Sequence, residues 1–146
     1  MMAAMLLSDD ALQALLAIGW PDDAAARELV AELPESRIAR VIAQHRSGFD
    51  VAEHAEDRRR VQPPAAWTRP RGDPLLRAAV GDWVALDAAG KNILALLPRR
   101  ALLKRAAAGE HYRLQMIAAN VDHVLVVCGL DADFNPRRIE RYLLVV

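Results

Sequence analysis

The chain is 146 residues long, room for one globular domain or for a small domain and part of a second. Hydrophobic residues make up 53% and charged residues 26%, a composition that excludes an intrinsically disordered polypeptide. Lysine plus arginine and aspartate plus glutamate balance at 19 each but segregate: one basic residue faces seven acidic ones before Arg37, fifteen face eight from Arg37 to Gln115, and three face four thereafter.

The start, Met1 to Leu7, has no basic n-region, and Asp9 and Asp10 interrupt it before a signal-like core could form. Ser8 is a suitable N-cap, and Leu12, Leu15, Leu16 and Ile18 follow at helical spacing until Gly19 stops the helix. Asp22 and Asp23 open a second helix, with Leu29, Val30 and Leu33 on its apolar side and Pro34 at its end. An acidic helical hairpin over residues 1–36 is predicted.

The period then changes. Arg37 to Gln44 is β-like, Ser47-Gly48 is a turn signal, and Phe49 to Glu53 alternates apolar and polar, which makes a hairpin. Trp83 to Asp87, the Ala89-Gly90-Lys91 turn and Ile93 to Leu97 make a second hairpin, and Leu114 to Ala119 a last strand. Five short strands over residues 37–119 predict a mainly β fold, a closed five-stranded Greek-key barrel of the OB type. The run from Arg58-Arg59-Arg60 through Pro63-Pro64, Trp67 and Arg69-Pro70-Arg71-Gly72 is too rich in Pro and Arg for a central strand, so an exposed loop or frayed edge is expected.

From residue 120 the pattern is that of an α/β unit. His123 to Cys128 reads as a continuous apolar strand, with Cys128 a small buried hydrophobe, and Pro136 starts a helix carrying Ile139, Tyr142 and Leu143. Such a strand needs neighbours on both sides, so residues 120–146 are expected to be the beginning of an incomplete domain. No apolar run approaches the roughly 20 residues of a membrane span. A soluble, cytoplasmic monomer with no membrane partner is the expectation.

Arg37, Arg40, Arg46, Arg58 to Arg60, Arg69, Arg71, Arg77, Arg99, Arg100, Lys104, Arg105 and Arg113 give the middle segment its charge. A nucleic-acid backbone suits that density, and the preference for arginine over lysine favours phosphate; the plainer reading is a solvated surface. Period-two counting sets Trp83 opposite Val84 and Leu86, so it is expected outward as a stacking group or packed at a rim, and Trp67 in the Arg-Pro loop is open to the same two readings. His45, His54, His111 and His123 lack metal-ligand spacing, and no catalytic arrangement emerges. Asp87 to Gly90 matches a DxxG string and Gly90-Lys91 the end of a P-loop, but Ala85 and Asn92 break the latter and the segment joins two strands, so it reads as a hairpin turn.

Ala79-Val80-Gly81-Asp82-Trp83-Val84, Pro98-Arg99, Leu103-Lys104-Arg105, Gln115 to Asp122, Asp133-Phe134 and Ile139 to Leu143 together resemble the RsgA/YjeQ family of circularly permuted GTPases of small ribosomal subunit maturation. The resemblance implies an OB domain, a permuted GTPase domain beginning near Asn120, and a zinc-binding domain. GTP, Mg2+ and zinc are implied for the full-length family protein; within 1–146 there is no NKxD, GxxxxGKS or DTPG string, so no cofactor and no activity of its own is expected. The expected function is docking on 16S rRNA in the 30S subunit, through Arg69, Arg71, Arg99, Arg100, Lys104 and Arg105 on phosphates and Trp83 or Trp67 on bases. The alternatives are a generic single-strand-binding OB module and a protein-interaction adaptor built on the acidic hairpin.

Overall fold

The computed structural model describes residues 7–21, 23–33, 35–69, 72–106, 114–131 and 134–146. Helix α1 spans Asp9–Ala17, capped by the Ser8 hydroxyl, which accepts from the Ala11 N–H at 3.3 Å. It ends in a Schellman pattern: Gly19, at φ +92°, donates to the Leu16 carbonyl, and Trp20 donates to that of Leu15. That turn throws Trp20 back onto the core. Helix α2, Ala24–Glu32, is capped by Asp23, whose carboxylate accepts from the Ala26 N–H at 2.8 Å.

Seven strands follow among the described residues: β1 Arg37–His45, β2 Gly48–Ala52, β3 Arg59–Val61, β4 Trp83–Leu86, β5 Ile93–Leu96, β6 Leu102–Ala106 and β7 Leu114–Ala119. The first five form one antiparallel sheet in the order β3-β2-β1-β4-β5, and β6 pairs with β7 in a separate two-stranded sheet. A last helix, α3, spans Pro136–Leu143, with Asn135 as its cap.

The mainly β architecture with two early helices and a final helix agrees with the sequence, but the closed barrel does not form. The two edge strands meet only at a single parallel bridge, Gln62 with Asn92, where Gln62 N–H donates to the Lys91 carbonyl and Ile93 N–H to that of Gln62. The strand expected at Leu114 to Ala119 has the right bounds but pairs with β6 rather than with the main sheet. The fifth place in that sheet goes to Arg59–Val61, inside the arginine run. Val61 is fully buried while its neighbours face outward, and an edge position tolerates the charge that a central strand would not. The Pro-rich remainder folds as two short 3-10 turns, Ala65–Thr68 and Pro74–Leu76.

His123 to Cys128 is not a strand. It has no ladder partner among the described residues, and Leu125 and Val127 are about nine-tenths exposed, at 89% and 91%. An apolar β-run without neighbours gains neither hydrogen bonds nor burial. Cys128, expected buried, is exposed for the same reason.

Both faces of the main sheet are covered, and strand alternation sorts the residues between them. On one face Ala39, Val41, Val51, Val61, Val84, Leu86 and Ile93 form a core that Trp67 and Leu96 flank. On the other, Ile38, Trp83, Ala85 and Leu97 pack with Leu15, Trp20 and Ala26 of the helical hairpin. The acidic lead therefore shares its core with the sheet.

A buried ion pair ties the remaining pieces to this sheet. Asp82, 0% exposed, accepts from the Ala79 N–H at 2.7 Å and from Arg99 through both carboxylate oxygens, with the shortest contact 2.7 Å from Nη2. Arg99 also donates to the carbonyls of Leu75, at 2.6 Å, and Arg77. Alongside, Asn120, at φ +53°, accepts from the Arg100 N–H at 2.8 Å and donates to the Gly81 carbonyl at 3.1 Å. Gly81, at φ +93°, sits so close that a Cβ there would lie 2.1 Å from the Ala119 carbonyl oxygen.

Arg99→Ala would strand Asp82 as an uncompensated buried charge, and a loss of about 3–5 kcal/mol is expected in denaturant melts. A loss below about 1 kcal/mol, the scale of a surface pair, would contradict the role given to this pair. Gly81→Ala should destabilise well beyond Gly90→Ala, since the first drives a Cβ into backbone and the second meets only the end of the flexible Arg59 side chain; equal melting temperatures would refute this.

Candidate nucleic-acid interface

The arginines of the middle segment fall into distinct settings. Around Asp50, which is 4% exposed in the middle of β2, Arg60 Nε donates at 2.5 Å and Arg58 donates through Nε and Nη2 at 2.9 and 2.8 Å. His45 Nε2 lies 3.0 Å from the same carboxylate. A second group has Arg37 forked onto Glu53, at 2.9 and 2.7 Å, while Arg59 bridges Glu53 and Asp57. Arg40 donates to the Ile18 carbonyl at the end of α1 at 2.5 Å and lies 5.6 Å from the Trp83 ring centroid, a cation–π position.

The hydrogen bonds from Arg60 and then Arg58 hold the Asp50 carboxyl far below the usual carboxylate range, against the opposing effect of burial. Glu53, forked by Arg37, correspondingly raises the Arg37 guanidinium. The Asp87 carboxylate is also held low, chiefly by the Lys91 N–H and then by the Asn92 side chain, which closes the turn between β4 and β5.

The residues expected to grip RNA are not one constellation. Arg99 lies in the buried pair, its side chain 14% exposed with its donors committed to Asp82, Leu75 and Arg77, so the structure removes it from any phosphate surface. Trp83, expected outward, is 3% exposed: its face of the sheet is the one the helical hairpin covers, and the Trp20 ring packs edge-on at 4.8 Å. Period-two counting gave the correct face; it carried no information that a helix would occupy it. Trp67 is half-buried, edge-on to Phe49 at 5.8 Å.

Arg69 is exposed, and Arg71 lies outside the described residues. Arg100 is exposed beside Asp122 at 3.8 Å. Lys104 and Arg105 are exposed on β6, where Arg105 donates to Gln115 at 3.0 Å. Arg100, Lys104 and Arg105 thus belong to one hairpin, anchored at its base by Asn120. The Asp50 cluster was missed as a unit because residues 45, 50, 58 and 60 meet only through β1–β2 and β2–β3 pairing.

Residues 96–146 match the family model described as RsgA GTPase. Over 137 residues, 90% of this chain, it is 54% identical to the "Small ribosomal subunit biogenesis GTPase RsgA" of Xanthomonas campestris pv. campestris (strain B100). It is similarly 54% identical to the protein of that name from Xanthomonas axonopodis pv. citri (strain 306) and 55% identical to that from Xylella fastidiosa (strain M23). The chain spans 37% of the Xanthomonas relatives and 41% of the Xylella one. The family whose resemblance the scattered motifs carry is thus the one to which nine-tenths of the sequence is similar.

Because the Asp50 carboxyl is more acidic in the folded chain than in an unfolded one, its interactions add stability above about pH 4, and that stability drains away as pH falls below that value. The melting temperature of the parent chain should therefore fall more steeply between pH 5 and pH 2 than that of Asp50→Asn. Parallel pH profiles would refute the assignment.

Proposed function

We infer that this chain, similar over nine-tenths of its length to RsgA-type GTPases, is the part of such a protein that docks on RNA of the small ribosomal subunit. The observation that carries the reading is the 54% identity extending through residues that here build the Asp82–Arg99–Asn120 junction and the hairpin it anchors. The strand order, with its edges meeting at Gln62 and Asn92, supports an OB-type sheet curled short of closure. On that scaffold Arg69, Arg100, Lys104 and Arg105 are the cations from the original set that project into solvent for phosphate contact, and Arg71 joins them by sequence. Nucleotide handling, implied by the relatives' name, is assigned to segments outside residues 1–146. Sites of action in the cytoplasm and on 16S rRNA follow from the same reading.

A sequence-tolerant single-strand binder is the weaker reading. Such proteins use exposed aromatic platforms, and here Trp83 is buried and Trp67 half-buried.

Titration of purified small ribosomal subunits with this chain at 50 and 200 mM salt is expected to show binding that weakens with salt, and Lys104→Gln/Arg105→Gln should weaken it further. Salt-independent binding would remove phosphate contacts from the account. Calorimetry with GTP is expected to give no saturable heat; a saturable isotherm would place a nucleotide site within these residues.

A further inference from the structure

We propose that the tip of the β1–β2 hairpin is a cradle for the phosphodiester backbone of RNA, made by Arg46, Arg58 and Arg60 and pinned by the buried carboxylate of Asp50. The proposal rests on the RNA-docking reading above and adds to it a site outside the residues assigned there to phosphates and bases.

The case starts from a charge imbalance. One carboxylate is shared by two guanidiniums, so the cluster remains cationic whatever the state of His45. Of the carboxylates nearby in sequence, Glu53 and Asp57 are engaged by Arg37 and Arg59, and Glu56 is exposed and makes no ion pair with Arg58 or Arg60. A buried ion pair needs only one partner; the second arginine is surplus to neutralisation. Its presence is costly to explain by stability alone, since like charges converge on one point.

The geometry leaves donors pointing outward. Arg60 reaches Asp50 through Nε alone, so both its terminal amino groups lack an acceptor among the described residues, as does Nη1 of Arg58. Their side chains are 44% and 66% exposed. Gly48 makes room for this arrangement: a Cβ there would lie 3.4 Å from Arg60 Cδ and 2.6 Å from the Val61 carbonyl oxygen. Arg46, exposed on the two-residue turn between β1 and β2, adds a third cation at the same end of the hairpin.

Asp50 acts here as a positioning residue. By fixing Arg60 through Nε and Arg58 through Nε and Nη2 it orients two planar guanidiniums, so less side-chain entropy is lost when both terminal nitrogens of Arg60 and Nη1 of Arg58 meet phosphate oxygens. Two guanidiniums held on one carboxylate suit a polymer of repeating anions.

The test is binding of the chain to a fluorescent mixed-sequence RNA stem-loop and to small ribosomal subunits over a salt series, with circular dichroism confirming fold. Arg58→Gln/Arg60→Gln is expected to weaken binding by roughly fivefold or more and to flatten the log–log salt slope by about 2. Asp50→Asn separates the cradle from bulk charge: removing a negative charge would tighten a diffuse electrostatic contact, whereas loss of the pin is expected to weaken binding. Should Asp50→Asn misfold, Arg58→Lys/Arg60→Lys takes its place, retaining charge and slope while losing affinity because the planar guanidiniums are gone.

Tighter binding by folded Asp50→Asn, or parent affinity in the lysine variant, would overturn the cradle. Full affinity in Arg58→Gln/Arg60→Gln with loss in Lys104→Gln/Arg105→Gln would overturn it and leave RNA docking intact. Failure of the parent chain to bind either RNA probe would sink both readings, as would binding confined to a phosphoserine peptide included as a control.

Discussion

The buried pair of Asp82 and Arg99 is the constraint on which the arrangement of parts depends. A carboxylate with no solvent access must be fully satisfied, and Asp82 is satisfied by one backbone N–H and a guanidinium that itself holds two further carbonyls. Through it the segment before β4, the turn into β4 and the exit of β5 become one unit. Asn120 and Gly81 extend that unit to the end of β7, where two backbones approach too closely for any side chain to intervene. The segments that carry the family resemblance, Ala79 to Val84, Pro98-Arg99 and Ala119-Asn120, converge on this junction. Their chemistry there is architectural, and it sets where the β6–β7 hairpin and its exposed cations stand relative to the sheet.

Local signals were legible in the sequence wherever a short-range rule governs. Ser8, Gly19, Asp23 and Pro136 mark helix ends by capping, φ > 0 or a missing N–H, and all act at those ends in the structure. Four strands of the main sheet were readable from alternation and turns. What failed was pairing. Arg59–Val61 carries two charges in three residues and becomes a strand only because β2 offers it an edge, and Leu114 to Ala119 could not announce that its partner would be Leu102–Ala106. His123 to Cys128 shows the converse, an apolar run with strong β propensity that finds no ladder among the described residues.

The same division explains the candidate interface. Charge density was visible, but whether an arginine is free depends on carboxylates distant in sequence. Arg99 reads like its neighbour Arg100 until Asp82, seventeen residues earlier, is placed beneath it. Trp83 reads like a stacking residue until Trp20 of the helical hairpin is laid across it. Conversely Asp50 appears in the sequence as one polar position in an alternating strand, and only β-pairing reveals it as the shared anion of Arg58 and Arg60. Burial of that carboxylate turns a diffuse basic stretch into groups with defined directions.

The lone bridge between Gln62 and Asn92 gives the curled sheet a seam. Elsewhere among the described residues adjoining strands are stitched along a ladder, whereas here the two margins are held by a pair of backbone hydrogen bonds beside the tip of the β4–β5 hairpin. Parting that seam would unzip no ladder, and its cost would fall on Val61 and Ile93, the core residues that adjoin it.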